Sequence, residues 1–199
     1  MKRRSKNQIK NIVEALLLSS GEPLSADRIH KIINSKESCT KAAILEAIDS
    51  LNIDYENKEI EISRVASGFR IQAKSSINDF LNIIYAEKTP RYSRALMETL
   101  SIIAYKQPVT RGDIESIRGV SVSSSIMRTL TDRNWIKIVG YRDVPGKPAM
   151  FSTTNEFLDY FGLEKLSELP DLPDIKEPQN LNLDLEINEN GPVSSDQLN

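Results

Sequence analysis

Shifting the chain by 85 residues lays Pro23, Leu24, Ser25 and Ile29 onto Pro108, Val109, Thr110 and Ile114. This internal repeat constrains the fold more than any other feature. A unit of ~80 to 90 residues is the size of a small domain, so the chain reads as two copies of one module in tandem. Gly (8) and Pro (9) are sparse and scattered, which fits helical globular packing in both copies.

In the first copy, Ile9, Ile12, Val13, Leu16 and Leu17 recur at helical spacing and make one apolar stripe. Ser19, Ser20 and Gly21 end that helix, and Ser25 is placed to cap a second over 26–33. Thr40 caps a third, whose apolar face is Ala43, Ile44, Ala47, Ile48 and Leu51. Ile60 and Ile62, then Phe69, Ile71 and Ala73, alternate about Ala66, Ser67 and Gly68, which predicts a β-hairpin. Three helices followed by a hairpin is the order of a winged helix-turn-helix.

The second copy follows the same order. Leu96, Met97, Leu100, Ile103 and Ala104 form its first helix, and Thr110 with Asp113 makes a capping box for the next. Gly119 is placed to close that helix in a left-handed conformation, and Ser121 or Ser123 opens a third carrying Ile126, Met127 and Leu130. Trp135 to Val139 reads as a strand. Asp143, Val144, Pro145 and Gly146 turn the chain back into Ala149, Met150 and Phe151, giving a longer hairpin tipped by Lys147.

The expected fold class is therefore mainly α with small β-hairpins. Two tandem winged helix-turn-helix domains occupy 1–88 and 89–169, and an acidic, disordered C-terminal tail follows over 170–199. Between the modules, Ile77, Phe80, Leu81, Ile84 and Tyr85 space as a further amphipathic helix, with a linker about Pro90. Phe157, Leu158, Phe161, Leu163, Leu166 and Leu169 predict two short closing helices. The tail holds seven acids against one base, so it carries −6 of a chain total of −2 and leaves +4 on residues 1–169. It has no aromatic residue and too little apolar periodicity to offset the entropy of ordering.

Catalytic constellations are missing. The one histidine, His30, excludes a site needing two imidazoles, and the one cysteine, Cys39, has no His or second Cys near it in sequence. Gly146, Lys147 and Pro148 lack the spacing and hydroxyl of a phosphate-binding loop. Glu59 and Glu61 alternate outward on a strand, and the serines from Ser121 to Ser125 lack a base. No cofactor, metal or small-molecule substrate is expected, and the chain does not read as an enzyme. A lone thiol needs no oxidising compartment, and the apolar run Val13 to Leu18 is broken by Glu14 and lacks a cleavage pattern. With no run of the roughly 18 to 20 apolar residues that a membrane helix requires, a cytoplasmic protein is expected.

A winged helix that reads DNA sets its third helix in the major groove with basic and amide side chains outward. Here the third helix of the first copy offers Lys41 against Glu46 and Asp49, and that of the second offers Arg128 and Arg133 against Asp132. The densest basic cluster is Lys2, Arg3, Arg4 and Lys6 at the amino terminus. DNA affinity rests on neutralising phosphates, so protein binding is the better reading and a tandem winged-helix transcriptional regulator the alternative.

The second copy also carries LMETLSIIAYKQPVTRGDIESIRGV, WIKIVG and PGKPAMFSTTNEFLDYFGLEKLSELP. These segments resemble the segregation and condensation protein B family, the non-SMC subunit of the bacterial SMC complex. ALLLSSGEPLS and VASGFRIQ in the first copy resemble it more loosely. The chain departs from the family pattern in SVSSS after Val120 and in Lys147, where arginine is usual. The resemblance implies a homodimer joined through the amino-terminal winged helix, with carboxy-terminal winged helices that grip the kleisin ScpA. It further implies a link to the SMC ATPase through the kleisin, a nucleoid location, and DNA contact that is indirect or weak.

A binding subunit needs apolar and adaptable surfaces, and the second wing offers Tyr141, Arg142, Pro145 and Lys147 as candidate partner contacts. The alternative is that Pro145 and Gly146 only build the turn and Tyr141 only pads the sheet. Leu16, Leu17 and Leu18 give helix 1 more apolar circumference than its own stripe uses, which makes Leu18 the candidate dimer contact.

Overall fold

The computed structural model describes residues 5–85 and 92–172. Its elements recur in the order that the repeat predicts. The first copy contains α1 (Lys6–Ser19), α2 (Ala26–Asn34), α3 (Lys41–Asp54), β1 (Ile60–Val65) and β2 (Gly68–Ala73), and α4 (Asn78–Tyr85) follows. The second contains α5 (Arg94–Lys106), β3 (Val109–Thr110), α6 (Arg111–Arg118), α7 (Ser124–Asp132), β4 (Ile136–Tyr141) and β5 (Ala149–Thr153), closed by α8 (Asn155–Phe161).

Local chemistry starts and stops these helices. The Ser25, Thr40, Ser93 and Thr110 side chains accept from backbone N–H groups of the first turns of α2, α3, α5 and α6. Ser123, rather than Ser121, caps α7. Asp113 completes the capping box of α6, and Gly119 ends that helix at φ 70°. The first predicted closing helix is α8, whereas the second contracts to one 3-10 turn, Leu166–Glu168.

Each copy closes its own core. Val13, Leu17, Ile29, Ile44, Ile48 and Leu51 belong to the first, and Leu100, Ile103, Ile114, Val122, Leu130 and Ile136 to the second. The repeat is visible at residue level: Ile29 and Ile114 are both fully buried. Leu24 bridges Phe69 of β2, and Val109, its counterpart, pairs with Phe151 of β5. The second copy thus has a three-stranded sheet in the order β3-β5-β4, and β4 lies at an edge.

The wings differ. β1 and β2 pair without interruption from Ile60↔Ala73 to Val65↔Gly68. The turn between them meets the second copy: the Ser67 N–H donates to Asp159 Oδ1 (2.9 Å) and the Ala66 N–H to the Leu163 carbonyl (3.0 Å). Arg70 reaches the Asp159 carbonyl (2.8 Å), and Arg64 pairs with Glu164 (3.1 Å). Gly68 is required here, because at φ +141° a Cβ would lie 2.3 Å from the Leu24 carbonyl oxygen. β4 and β5 instead carry a bulge at Val139 and are joined by loop 142–148, exposed over 143–147.

The apolar stripe predicted from Ile77 to Tyr85 is only partly buried. Ile77 sits in a 3-10 turn ahead of α4, and it and Leu81 are half-buried. Phe80, Ile83 and Ile84 are 69, 78 and 66% exposed. The linker about Pro90 and the predicted disordered tail beyond Leu172 lie outside the described residues.

Candidate partner-binding surface

The second wing is held to its helices by one charge pair. Arg142, at the end of β4, donates from Nη1 to Asp113 Oδ1 (2.8 Å) and from Nη2 to Asp113 Oδ2 (2.6 Å). The same carboxylate accepts the Thr110 N–H (2.8 Å) in the capping box of α6. Hydrogen bonds from the Arg142 guanidinium, then from the Thr110 backbone, hold the Asp113 carboxyl down to about 2. A bidentate guanidinium–carboxylate pair fixes orientation as well as distance, so it sets the angle of the wing against α6.

That geometry sorts the predicted site residues. Tyr141 is 63% exposed, and Pro145 and Lys147 are exposed in the loop. Arg142 is half-buried and engaged with Asp113, so it braces the wing from inside. The turn is closed by the Lys147 N–H donating to the Val144 carbonyl (2.9 Å), with Gly146 at φ 85° and Lys147 at φ 40°. Leu18, the predicted dimer contact, is 60% exposed beside buried Leu17.

Sequence reasoning missed Ile138 and Val139 on β4 and Val144 in the loop, all exposed. Ile136, Ile138 and Val139, interrupted by Lys137, read as a strand and carry no sign of an outward surface. Ile138 and Val139 are nonetheless 53 and 48% exposed, which depends on what packs over β4 and is not visible in the run itself. Tyr141 is exposed on the same wing, where exposed Lys137, Asp143 and Lys147 stand among these apolar side chains.

Several charges of the two third helices are engaged in pairs or ring contacts. Lys41 of α3 pairs with Asp27, and Glu46 of α3 with Lys6. Arg128 of α7 pairs with Asp132 (3.5 Å), and Arg133 lies over the rings of Tyr92 (4.9 Å) and Trp135 (5.4 Å). His30 Nε2 lies 3.1 Å from the Cys39 carbonyl and 3.0 Å from Asn34 Nδ2, a packing role. Burial pushes the Cys39 thiol up, which disfavours the reactive thiolate. No helix among the described residues is long and apolar enough to cross a membrane.

The segments that carry the family resemblance have structural work of this kind. In IIAYKQP, Ile103 and Ala104 are core residues, and the Gln107 side-chain oxygen accepts from the Thr153 N–H (2.7 Å) and hydroxyl (3.0 Å) on β5. In IRGV, nearly buried Arg118 pairs with Glu98 of α5 (3.2 Å) ahead of the left-handed Gly119. In TTNEFLDYFGL, Thr154 caps α8, while Phe157, Tyr160 and Phe161 build an aromatic cluster with Trp135.

A family model for the segregation and condensation complex subunit ScpB matches residues 11–172. The chain belongs to this family. A segregation and condensation protein B homolog of Coxiella burnetii is 45% identical over 166 residues, 83% of this chain and 79% of that protein. Among solved structures, ScpB from Mycobacterium tuberculosis is 27% identical, covers 81% of this chain and 99% of its own, and has a TM-score of 0.39. A dimer of a ScpB N-terminal domain complexed with a ScpA peptide is 23% identical, covers 42% of this chain and 91% of its own, and has a TM-score of 0.33.

Proposed function

We propose that this chain is a non-enzymatic accessory subunit of a condensin-like SMC–kleisin complex, acting in chromosome condensation and segregation by binding the kleisin ScpA. Residues 1–88 serve as the dimerisation module and 89–169 as the kleisin-binding module. Contact with the SMC ATPase runs through the kleisin, DNA contact is indirect or weak, and the complex works at the nucleoid in the cytoplasm. The carrying observation is a contrast on the second copy: the charges of α7 are paired or stacked, whereas wing 2 exposes Ile138, Val139, Tyr141 and Val144. Exposed apolar side chains suit a protein partner, and the few charges beside them, Lys137, Asp143 and Lys147, are of mixed sign rather than the dense basic face that a phosphate backbone needs.

Tyr141, Pro145 and Lys147 are the proposed kleisin contacts, with Arg142 positioning them through Asp113. Leu18 is the proposed dimer contact on α1. Co-expression with ScpA and mass measurement of the purified complex tests the reading. A stoichiometric complex is expected, and replacing Tyr141 and Pro145 together by Ala should weaken it ~10-fold or more while the far-UV circular dichroism stays unchanged. Absence of a complex at mild salt would sink the proposal. Tight, sequence-selective duplex binding with a steep salt dependence would favour a transcriptional regulator instead.

A further inference from the structure

Each copy buries a core of its own, and the contact between them is largely polar. From wing 1 the Ala66 and Ser67 N–H groups and the Arg64 and Arg70 side chains reach across; Asp159, Leu163 and Glu164, on α8 and just beyond it, receive them. Asp159 is used twice, its carboxylate by Ser67 and its carbonyl by Arg70. Ala66 adds an apolar contact with the second core. Beside these bonds lies a cleft of about 740 Å³, lined by Arg28 and Arg70 of the first copy and by Arg133, Glu156 and Tyr160 of the second. Polar contacts of this kind between modules of one chain leave relative motion as the default, because such hydrogen bonds exchange for water at little net cost.

Both ends of the contact are rigid. The turn of wing 1 is fixed to the first copy, because Leu24 and Phe69 exchange backbone hydrogen bonds (both 2.9 Å) and Gly68 lies against the Leu24 backbone. α8 is fixed to the second copy through buried Phe157 and Leu158. Bonds that join two rigid bodies make and break together rather than fraying one at a time. We infer that wing 1 and α8 form a clasp, a two-state joint that sets the angle between the copies when closed and frees it when Asp159 lets go, with both cores intact. Wing 2 and the first copy stand on opposite sides of this joint, so its state decides whether they present their surfaces at one fixed angle. The inference holds whichever partner wing 2 binds.

Nuclear magnetic resonance of the full chain tests this with two readouts, amide hydrogen exchange and residual dipolar couplings. In the wild type the Ala66 and Ser67 amides should exchange slowly and at matched rates, and couplings from both copies should fit one alignment tensor. Asp159→Ala should raise both exchange rates ~10-fold or more and require a separate tensor for each copy. Ala66 is the decisive amide, since its own acceptor, the Leu163 carbonyl, is untouched by the substitution. The amides of Ile29 and Ile114, deep in the two cores, should keep their protection. Asp159→Asn retains a side-chain oxygen for the Ser67 N–H and should stay near the wild type.

Faster exchange at Ser67 alone in Asp159→Ala would make the bonds independent and overturn the inference. A single tensor retained in that variant overturns it equally, because the angle is then set elsewhere. So does a wild type whose copies already need two tensors. If Ile114 also loses protection, the substitution has loosened the second core, and Arg70→Ala decides by the same two readouts from the side of the first copy. An unchanged result in either readout for Arg70→Ala then overturns the clasp.

Discussion

The two wings are the same element in the same repeat, held in opposite ways. Wing 1 closes through a two-residue turn, presses Gly68 against the Leu24 backbone, and hands Ser67 to α8 and Ala66 to Leu163 just beyond it. Wing 2 is longer, interrupted by a bulge, tied to α6 by Arg142 and Asp113, and exposed from Val144 to Lys147. One hairpin has thus become an internal strut and the other an outward-facing surface. A repeat conserves the core that makes a module fold; the tip of its wing is free to take a different use in each copy.

The strongest test of this comparison concerns the part that should be equivalent. Ile29→Ala and Ile114→Ala remove matched, fully buried side chains, and each should cost ~2 to 5 kcal/mol. Trp135, the only tryptophan, reports the second core in urea unfolding, while far-UV circular dichroism reports both. A cost below ~1 kcal/mol at either position would break the equivalence of the two cores.

Glycine substitutions sharpen the contrast between wings. Gly68→Ala forces a Cβ into the Leu24 and Ser25 backbone at positive φ and should destabilise the first copy by about 2 to 3 kcal/mol. Gly140→Ala on β4 would meet only the flexible Met150 Cε, at 3.4 Å, and should cost about 0.5 kcal/mol or less. Equal costs in thermal or urea unfolding would argue against wing 1 being the tighter strut.

Acid should separate the copies next. Among the described residues, the carboxylates held below their ordinary values are Glu98, Asp113 and Glu115, all on α5 and α6 of the second copy. Glu98 is held down by hydrogen bonds from Arg94 and Arg118, and Glu115 by the Val122 N–H and then Arg111. A carboxylate depressed in the folded state stabilises it above the unfolded pKa, ~3.9 for Asp, and that contribution disappears as pH falls through the folded value. For Asp113 the window runs from near pH 4 down to about 2. The Trp135 transition should therefore weaken on acidification, and Asp113→Asn should flatten that dependence while costing about 1 kcal/mol at neutral pH. An unaltered pH profile in Asp113→Asn would remove the wing-to-α6 pair from the account.

The smallest expected effect is at the tip. Tyr141→Ala removes an exposed ring and should change unfolding free energy by no more than about 0.5 kcal/mol. A larger loss would mean that Tyr141 pads the sheet, the alternative that the turn residues also allowed.

Most of what was legible in the sequence is local. The order of helices and hairpins follows from apolar spacing, and the caps at Ser25, Thr40, Thr110 and Gly119 follow from side chains that bond within three or four residues of themselves. The offset matched Ile29 to Ile114, and the structure finds both fully buried. Family membership was legible because IIAYKQP, IRGV and TTNEFLDYFGL hold several such local devices in fixed order.

Tertiary structure alone decided which apolar and charged side chains were left over. Arg142 is engaged by a carboxylate 29 positions away, Ser67 by one 92 positions away, and β4 becomes an edge because β5 pairs between it and β3. The stripe on α4 and the extra leucine on α1 have the periodicity of buried faces, yet Phe80, Ile83, Ile84 and Leu18 lie outside. Periodicity records that a face is apolar, while burial depends on what distant chain, or second molecule, arrives to cover it.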